Sequence, residues 1–268
     1  MLIYCMLNFS YIKRYMHYFL HAVSKYHIHS PFVFELLSKV FDDKYQYPDY
    51  AKIGSIRNEM MESTRLIEVN DFGAKSQNKP YTTSYQTLRQ ITRNTSIRPK
   101  FGELIYRLVK NTEPEILLEM GTSLGISSLY LALAAPNSRL YCMEGCSNKA
   151  GIALENFEKL KIQNISLNVG HFDHILPEVL QSLPAVDIVF IDGNHRYEPT
   201  VRYFETILPK TRSNTILIFD DIHWSEDMEK AWLAICNHPA VTLTLDVFFM
   251  GFVFFKQGIT RQNILIRF

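Results

Sequence analysis

The sequence predicts an α/β protein: a mostly parallel sheet that closes in an antiparallel hairpin, with a helical region ahead of it. Three observations carry this. From Pro99 onward, apolar runs at Ile116–Met120, Arg139–Glu144, Ile165–Val169, Val186–Asp192 and Thr215–Asp220 are each followed by a helical stretch, the pattern of right-handed βαβ units. The last two runs, Val241–Phe249 and Gly251–Lys256, stand too close for a crossover helix, so they must pair antiparallel. Ahead of residue 99 the segments read as helices joined by loops, which divides the chain into a helical cap region, 1–98, and an α/β domain, 99–268.

Composition supports a folded core and narrows the partners. The 268 residues are 47% hydrophobic, ample for burial, and carry a net charge of +1. Such balance lacks the electrostatic footprint of a nucleic-acid binder and points to small-molecule chemistry. The four cysteines, Cys5, Cys142, Cys146 and Cys236, form no C-x-x-C pair and sit mostly in apolar runs. Buried thiols are expected in place of disulfides or a zinc site, and a cytoplasmic location with them. The apolar first nine residues are followed, not preceded, by Lys13 and Arg14 and are expected not to act as a leader. No run reaches the roughly 20 apolar residues of a membrane span. The strongest, Val241 to Phe255, is broken by Thr242, Thr244, Asp246 and Gly251.

Taken in order, Ile12, Tyr15, Met16, Phe19, Leu20 and Val23 recur at helical spacing, with Lys13, Arg14, His17, His21 and Lys25 on the other side. This helix is expected to pack on its own domain or on a second subunit as a homodimer; the alternative is a membrane-surface role. His27 and His29 resemble a metal pair only superficially, because Ser30 and Pro31 open a helix through Phe41. Asp42 to Tyr50 reads as loop, Ile53 to Arg65 as helix, Asn70 to Pro80 as a long loop, and Thr83 to Thr95 as helix. Phe101 to Lys110 has helical periodicity, with Pro99 at the start of that helix. There is no internal repeat.

The stretch Glu115 to Leu133, EILLEMGTSLGISSLYLAL, reads as a strand, a glycine turn from Gly121 to Gly125, and a helix opening at Ser127. Such junctions bind ligands in open α/β sheets. The turn is not G-x-G-x-x-G, and Glu119 before it would repel a pyrophosphate, so a nicotinamide dinucleotide is disfavoured. Glu119 suits a cation. S-adenosylmethionine offers a sulfonium and an ammonium, plus a carboxylate for the helix N-terminus and Ser127.

LLEMGTSLGISSLYLA closely resembles the first motif of class I S-adenosylmethionine-dependent methyltransferases, particularly O-methyltransferases of the catechol and caffeoyl-CoA type. The resemblance covers Lys100 to Lys256, with GFVFFK similar to that family's last strand, and implies a Rossmann-like, seven-stranded methyltransferase sheet. It also implies cofactor contacts along Glu119, Gly121, Thr122, Ser123, Gly125, Ser127, Glu144 and Gly145, with Asp192. Glu144 ends the second strand at about the 20-residue spacing where nucleoside-binding folds place a ribose acid; a solvated strand-end carboxylate is the alternative. The family's adenine loop corresponds to GHFDHILPEVL, which assigns Phe172 and Asp173 to the base, although Asp173 would equally serve as a helix N-cap.

Asp192, from VDIVFIDGNHRYEPTVRYFE, and Asp220 and Asp221, from ILIFDDIHW, lie at the carboxyl ends of adjacent strands. Three converging carboxylates need either raised pKa values or a cation, and Mg²⁺ is the economical choice. The two segments resemble motifs of metal-dependent O-methyltransferases, although Asp221 stands where that family commonly has asparagine. Without a metal, His195 or His223 offers a general base beside Asp192. Otherwise His195 caps the following helix, and His223 packs with Trp224 on the sheet edge. The expected activity is O-methylation of a small hydroxylated molecule. The alternatives are N-, C- or S-methylation without metal, or a non-catalytic binding module on the same fold.

Overall fold

In the computed structural model, which describes residues 9–71 and 82–268, the chain forms two units, Met1–Asp42 with Leu183–Phe268, and Asp43–Ser182. The apolar start with Cys5, and residues 72–81 of the expected long loop, lie outside the described residues.

The first unit begins with α1 (Phe9–His21), a 3₁₀ turn at Lys25–His27, and α2 (Pro31–Leu36), which runs on into a π-helical turn, Leu37–Phe41. Ser30 caps α2 by accepting the Val33 amide at 3.4 Å, with Pro31 at the first helical position, as the sequence indicates. The face that α1 packs is not the expected one. Tyr18 and Ala22 are buried, and the Tyr18 hydroxyl donates to the Ile266 carbonyl at 2.6 Å. Arg14 turns inward with them: its Nε donates to Glu229 at 2.9 Å, and its side chain is 8% exposed. Polar tethers outweigh apolar spacing here, and Ile12, Met16 and Leu20 face solvent.

The second unit opens with α3 (Pro48–Glu62), which starts earlier than its apolar pattern because Pro48 takes the first helical position. Next come β1 (Leu66–Asp71) and β2 (Thr82–Thr87), paired antiparallel from Leu66 opposite Thr87 to Asp71 opposite Thr82. This corrects two expectations. Asn70 and Asp71 belong to a strand, and the helix expected from Thr83 is a strand up to Thr87, since the β-branched and aromatic residues of TTSYQT favour a pleated ladder. Helix α4 (Leu88–Thr95) starts only where Thr87 and Gln90 form a capping box. The unit continues through α5 (Pro99–Thr112), β3 (Ile116–Met120), α6 (Ile126–Ala134), β4 (Arg139–Glu144), α7 (Ser147–Lys159), β5 (Ile165–Val169) and α8 (Phe172–Ser182). Strands β3, β4 and β5 lie side by side and parallel.

The chain then returns to the first unit with β6 (Ile188–Ile191), α9 (Tyr197–Ile207), β7 (Ile216–Asp220), α10 (Glu226–Asn237), β8 (Leu243–Asp246), β9 (Met250–Phe254) and β10 (Gln262–Leu265). Strand β6 is parallel to β7, while β9 pairs antiparallel with both β7 and β8, which is the expected closing hairpin. A Cβ on Gly251 would stand 2.4 Å from the Trp232 ring, so glycine there lets α10 lie against β9. Strand β10, parallel to β8, is an addition that its half-polar sequence did not announce. Helix-linked parallel strands followed by an antiparallel pair make this the α/β, Rossmann-like class expected. Among the described residues no helix is long and apolar enough to cross a membrane.

Candidate functional site

In the second unit, β3 ends in a turn whose shape is set by three residues in left-handed conformation: Gly121 at φ 100°, Ser123 at 49° and Gly125 at 86°. At Gly125 a side chain would be strained by that φ and would meet Phe157 Cε1 at 2.6 Å. The Gly121 and Thr122 amides both donate to the Met143 carbonyl, at 2.9 and 3.1 Å, which ties the turn to the tip of β4. Gly125 is the N-cap of α6, and Ser127, buried, lies in its first turn. Unpaired amides of a helix start therefore border the turn, where they attract negative charge.

Glu144, the last residue of β4, is 7% exposed. Its Oε2 accepts the Ser123 amide at 2.7 Å, and its Oε1 accepts the Cys146 amide at 2.8 Å, across Gly145. Each carboxylate oxygen keeps a further lone pair for a hydroxyl donor. The Ser123 hydroxyl lies 3.0 Å from that of Thr95, at the end of α4. Thr95 is a site neighbour that no sequence pattern marks, because it reaches the turn from outside the motif.

Glu119 lies beneath this turn with no exposed surface. Its Oε2 accepts the Thr122 hydroxyl at 3.2 Å and the Ser128 hydroxyl, while its Oε1 is buried without a hydrogen-bond partner. Burial pushes the Glu119 carboxyl above the usual glutamate range, and pushes the adjacent Cys142 thiol well above its own. Phe172 and Asp173 open α8, with Phe172 half-buried and Asp173 exposed; the Asp173 amide donates to His171 Nδ1 at 3.3 Å.

In the first unit, Asp192 Oδ1 stands 3.2 Å from His195 Nε2, and both side chains are mostly buried. Asn194 at φ 69° and His195 at 35° are consecutive left-handed residues, a conformation of the kind that gathers at functional sites. Asn194 is fixed on both sides, donating to the Tyr203 hydroxyl at 3.2 Å and accepting from Arg196 Nε at 2.8 Å. Arg196, not His195, is the N-cap of α9. His223 is brought to a different partner: its Nε2 lies 2.7 Å from Asp246 Oδ2, and its ring stacks on Phe248 at 5.1 Å. The Phe248 amide donates to Asp246 Oδ1 at 2.7 Å, and Arg14 donates to the His223 carbonyl at 3.3 Å. Asp246 went unassigned in the sequence, where the one signal was an acid inside an otherwise apolar strand.

The expected convergence of Asp192, Asp220 and Asp221 is not found. Among the described residues no group of three His, Cys, Asp or Glu side chains is placed to hold a metal ion. Asp220 ends β7 and Asp221 follows at φ 55°. The described residues thus supply no three-residue acidic cluster of the kind the motifs suggest for Mg²⁺.

Residues 118–222 match the family model described as a methyltransferase domain. A catechol O-methyltransferase of Niastella koreensis is 27% identical over 130 residues, which is 47% of this chain and 58% of that protein. The chain thus spans little more than half the length of this curated relative. An SAH-bound methyltransferase of Podospora anserina superposes with a TM-score of 0.60 at 14% identity, covering 86% of this chain and 97% of that one. An O-methyltransferase of Bacillus cereus in complex with SAH gives 0.55 at 18%, covering 83% and 96%. Likeness at these identities shows the fold.

Proposed function

We propose that this class I S-adenosylmethionine-dependent methyltransferase moves the methyl group of its cofactor onto a hydroxyl of a small molecule. The carrying observation is the Glu144 carboxylate, pinned by the Ser123 and Cys146 amides at the end of β4, where it can receive a ribose diol. In this reading Gly121, Thr122, Ser123 and Gly125 shape the cradle and the start of α6 with Ser127 takes the cofactor's carboxylate. Phe172 and Asp173 border the adenine, and Gly145 leaves room beside the sugar. Glu119 acts from below, holding Thr122 and Ser128 in place.

Methyl transfer is an in-line displacement: the acceptor oxygen bonds to the methyl carbon, the carbon–sulfur bond breaks, and S-adenosylhomocysteine leaves. The hydroxyl proton must go to a base. We assign that role to His195, oriented by Asp192 at 3.2 Å. His223, held by Asp246, is assigned the positioning of its own loop. No step is routed through a metal, since among the described residues no group of three His, Cys, Asp or Glu side chains is placed to hold one. That same observation favours a second reading, metal-independent transfer to nitrogen, carbon or sulfur. Residues 1–98, mainly helical but including the β1–β2 pair, act as a cap region beside a cofactor domain, 99–268, in a cytoplasmic setting.

The test is incubation with methyl-labelled S-adenosylmethionine and a panel of catechols, phenols, alcohols, amines and thiols, with and without a chelator. Label on oxygen in both conditions supports the proposal. Label only on another atom selects the second reading, and cofactor binding without turnover on any acceptor selects a binding module.

A further inference from the structure

The described part of the first unit leaves one helix with an uncovered apolar side. On α1, Ile12, Tyr15, Met16, Phe19 and Leu20 are 42 to 68% exposed, and their spacing of three and four residues puts them in one stripe, with Tyr15 at its edge, where its ring meets Phe248 at 5.0 Å. Each is a large side chain that water solvates poorly. The helix is not loosely attached. Its opposite side, Arg14, Tyr18 and Ala22, is fixed by the bond of Arg14 to Glu229 at 2.9 Å, that of Tyr18 to Ile266 at 2.6 Å, and that of Arg267 to the Ala22 carbonyl at 3.3 Å. The stripe is therefore held outward by the fold.

Charge decides what the stripe meets. Lys13, His17 and His21, spaced by four, run beside it and are exposed. No Asp or Glu occurs in the chain before Glu35, although the whole protein is nearly neutral. Arg267, whose guanidinium lies 5.5 Å from the Phe19 ring centroid, adds a further cation at the stripe's border. Glu226 and Glu229 lie on the opposite, packed side, where they pair with Arg14 at 4.0 and 2.9 Å. An apolar stripe with aromatic residues and a basic flank, on a helix that itself carries no acid, is the composition of helices that lie in the plane of a lipid surface. A second copy fits less well. Five half-exposed side chains offer about 500 Å², short of the roughly 800 Å² per partner of a stable interface, and would bring no anion to the basic flank.

We propose that α1 is an interfacial element that seats the protein on an anionic lipid surface, with Ile12, Met16 and Leu20 entering the acyl boundary and Lys13 facing the headgroups. It binds without spanning. The attraction to anionic headgroups acts within about a Debye length of the surface and is screened by salt.

Flotation of the full chain with vesicles tests this. On phosphatidylcholine vesicles containing about one-third phosphatidylserine, binding is expected to exceed that on pure phosphatidylcholine by at least about fivefold. Raising salt to about 0.5 M should remove most of that difference. Phe19→Ser with Leu20→Ser should lower binding about tenfold or more, and Lys13→Glu should lower it only on the anionic vesicles. Unchanged thermal melting temperatures for these variants would show that the fold is intact. Equal lack of binding to both vesicle types overturns the proposal. So does a concentration-dependent dimer that the Phe19 and Leu20 substitutions abolish, since the stripe would then belong to a second copy.

Discussion

The Glu144 carboxylate accepts the main-chain amide of Ser123 at 2.7 Å across two neighbouring strand tips. The bond joins the end of β4 to the glycine turn after β3, so the acid proposed for the ribose also determines the shape of the cradle. Losing it should therefore affect both the ligand contact and the turn.

At Gly125, Ala should destabilise the protein by about 2–4 kcal/mol, because strain at a left-handed φ adds to overpacking. The φ is 86° and the clash with Phe157 comes at 2.6 Å. Denaturant melts of Gly125→Ala check this; a loss under about 0.5 kcal/mol would contradict it.

Glu119 gives a pH signature. Its folded-state pKa is raised by burial, so the folded protein holds this proton more tightly than the unfolded chain. Its contribution is fully present below the unfolded value, about 4.3, and is lost as pH rises through the raised folded value. Glu119→Gln should flatten the fall in stability between these two values, with a small change at low pH. Glu119→Ala should cost about 1–3 kcal/mol at any pH by removing the acceptor of the buried Ser128 hydroxyl and leaving Thr122 with the Met143 carbonyl alone. Parallel pH slopes for wild type and Glu119→Gln would contradict the assignment.

If His195 takes the acceptor's proton, His195→Gln should lower kcat by about 10² to 10⁴ while cofactor affinity changes little. Asp192→Asn, which leaves the ring less well oriented, should lower it less. A chelator should leave all three enzymes unchanged. Stopped turnover with unchanged calorimetric binding supports the role; a variant that retains wild-type kcat refutes it.

Arg14 is the polar peg of α1, with Nε on Glu229 at 2.9 Å and Nη1 on the His223 carbonyl at 3.3 Å. Arg14→Met should speed amide hydrogen exchange in α1 and in the loop around His223 while leaving α6 and α7 at wild-type rates. Uniform change across the chain would indicate global destabilisation instead.

Strand β3 is legible to the residue because a buried parallel strand reads as a near-continuous apolar run, while β4 and β5, the latter half-exposed, are legible from their place between helical stretches. The turn at Gly121 to Gly125 was legible because its φ angles demand glycine. What the sequence concealed depends on partners far along the chain. β2 is a polar strand made by pairing with β1, so TTSYQT carries no core-facing alternation. The inward side of α1 is chosen by Glu229 and Ile266, more than two hundred residues away. The partnership of His223 with Asp246 needs the β8–β9 hairpin to exist first.

Titration calorimetry with S-adenosylhomocysteine, on wild type and on Glu144→Ala, tests the central claim most directly. One site per chain is expected in wild type, with affinity about ten- to a hundredfold weaker in the variant, the scale of losing hydrogen bonds to a charged group. A wild type that shows no heat of binding, or a variant that binds as tightly as wild type, would contradict the account.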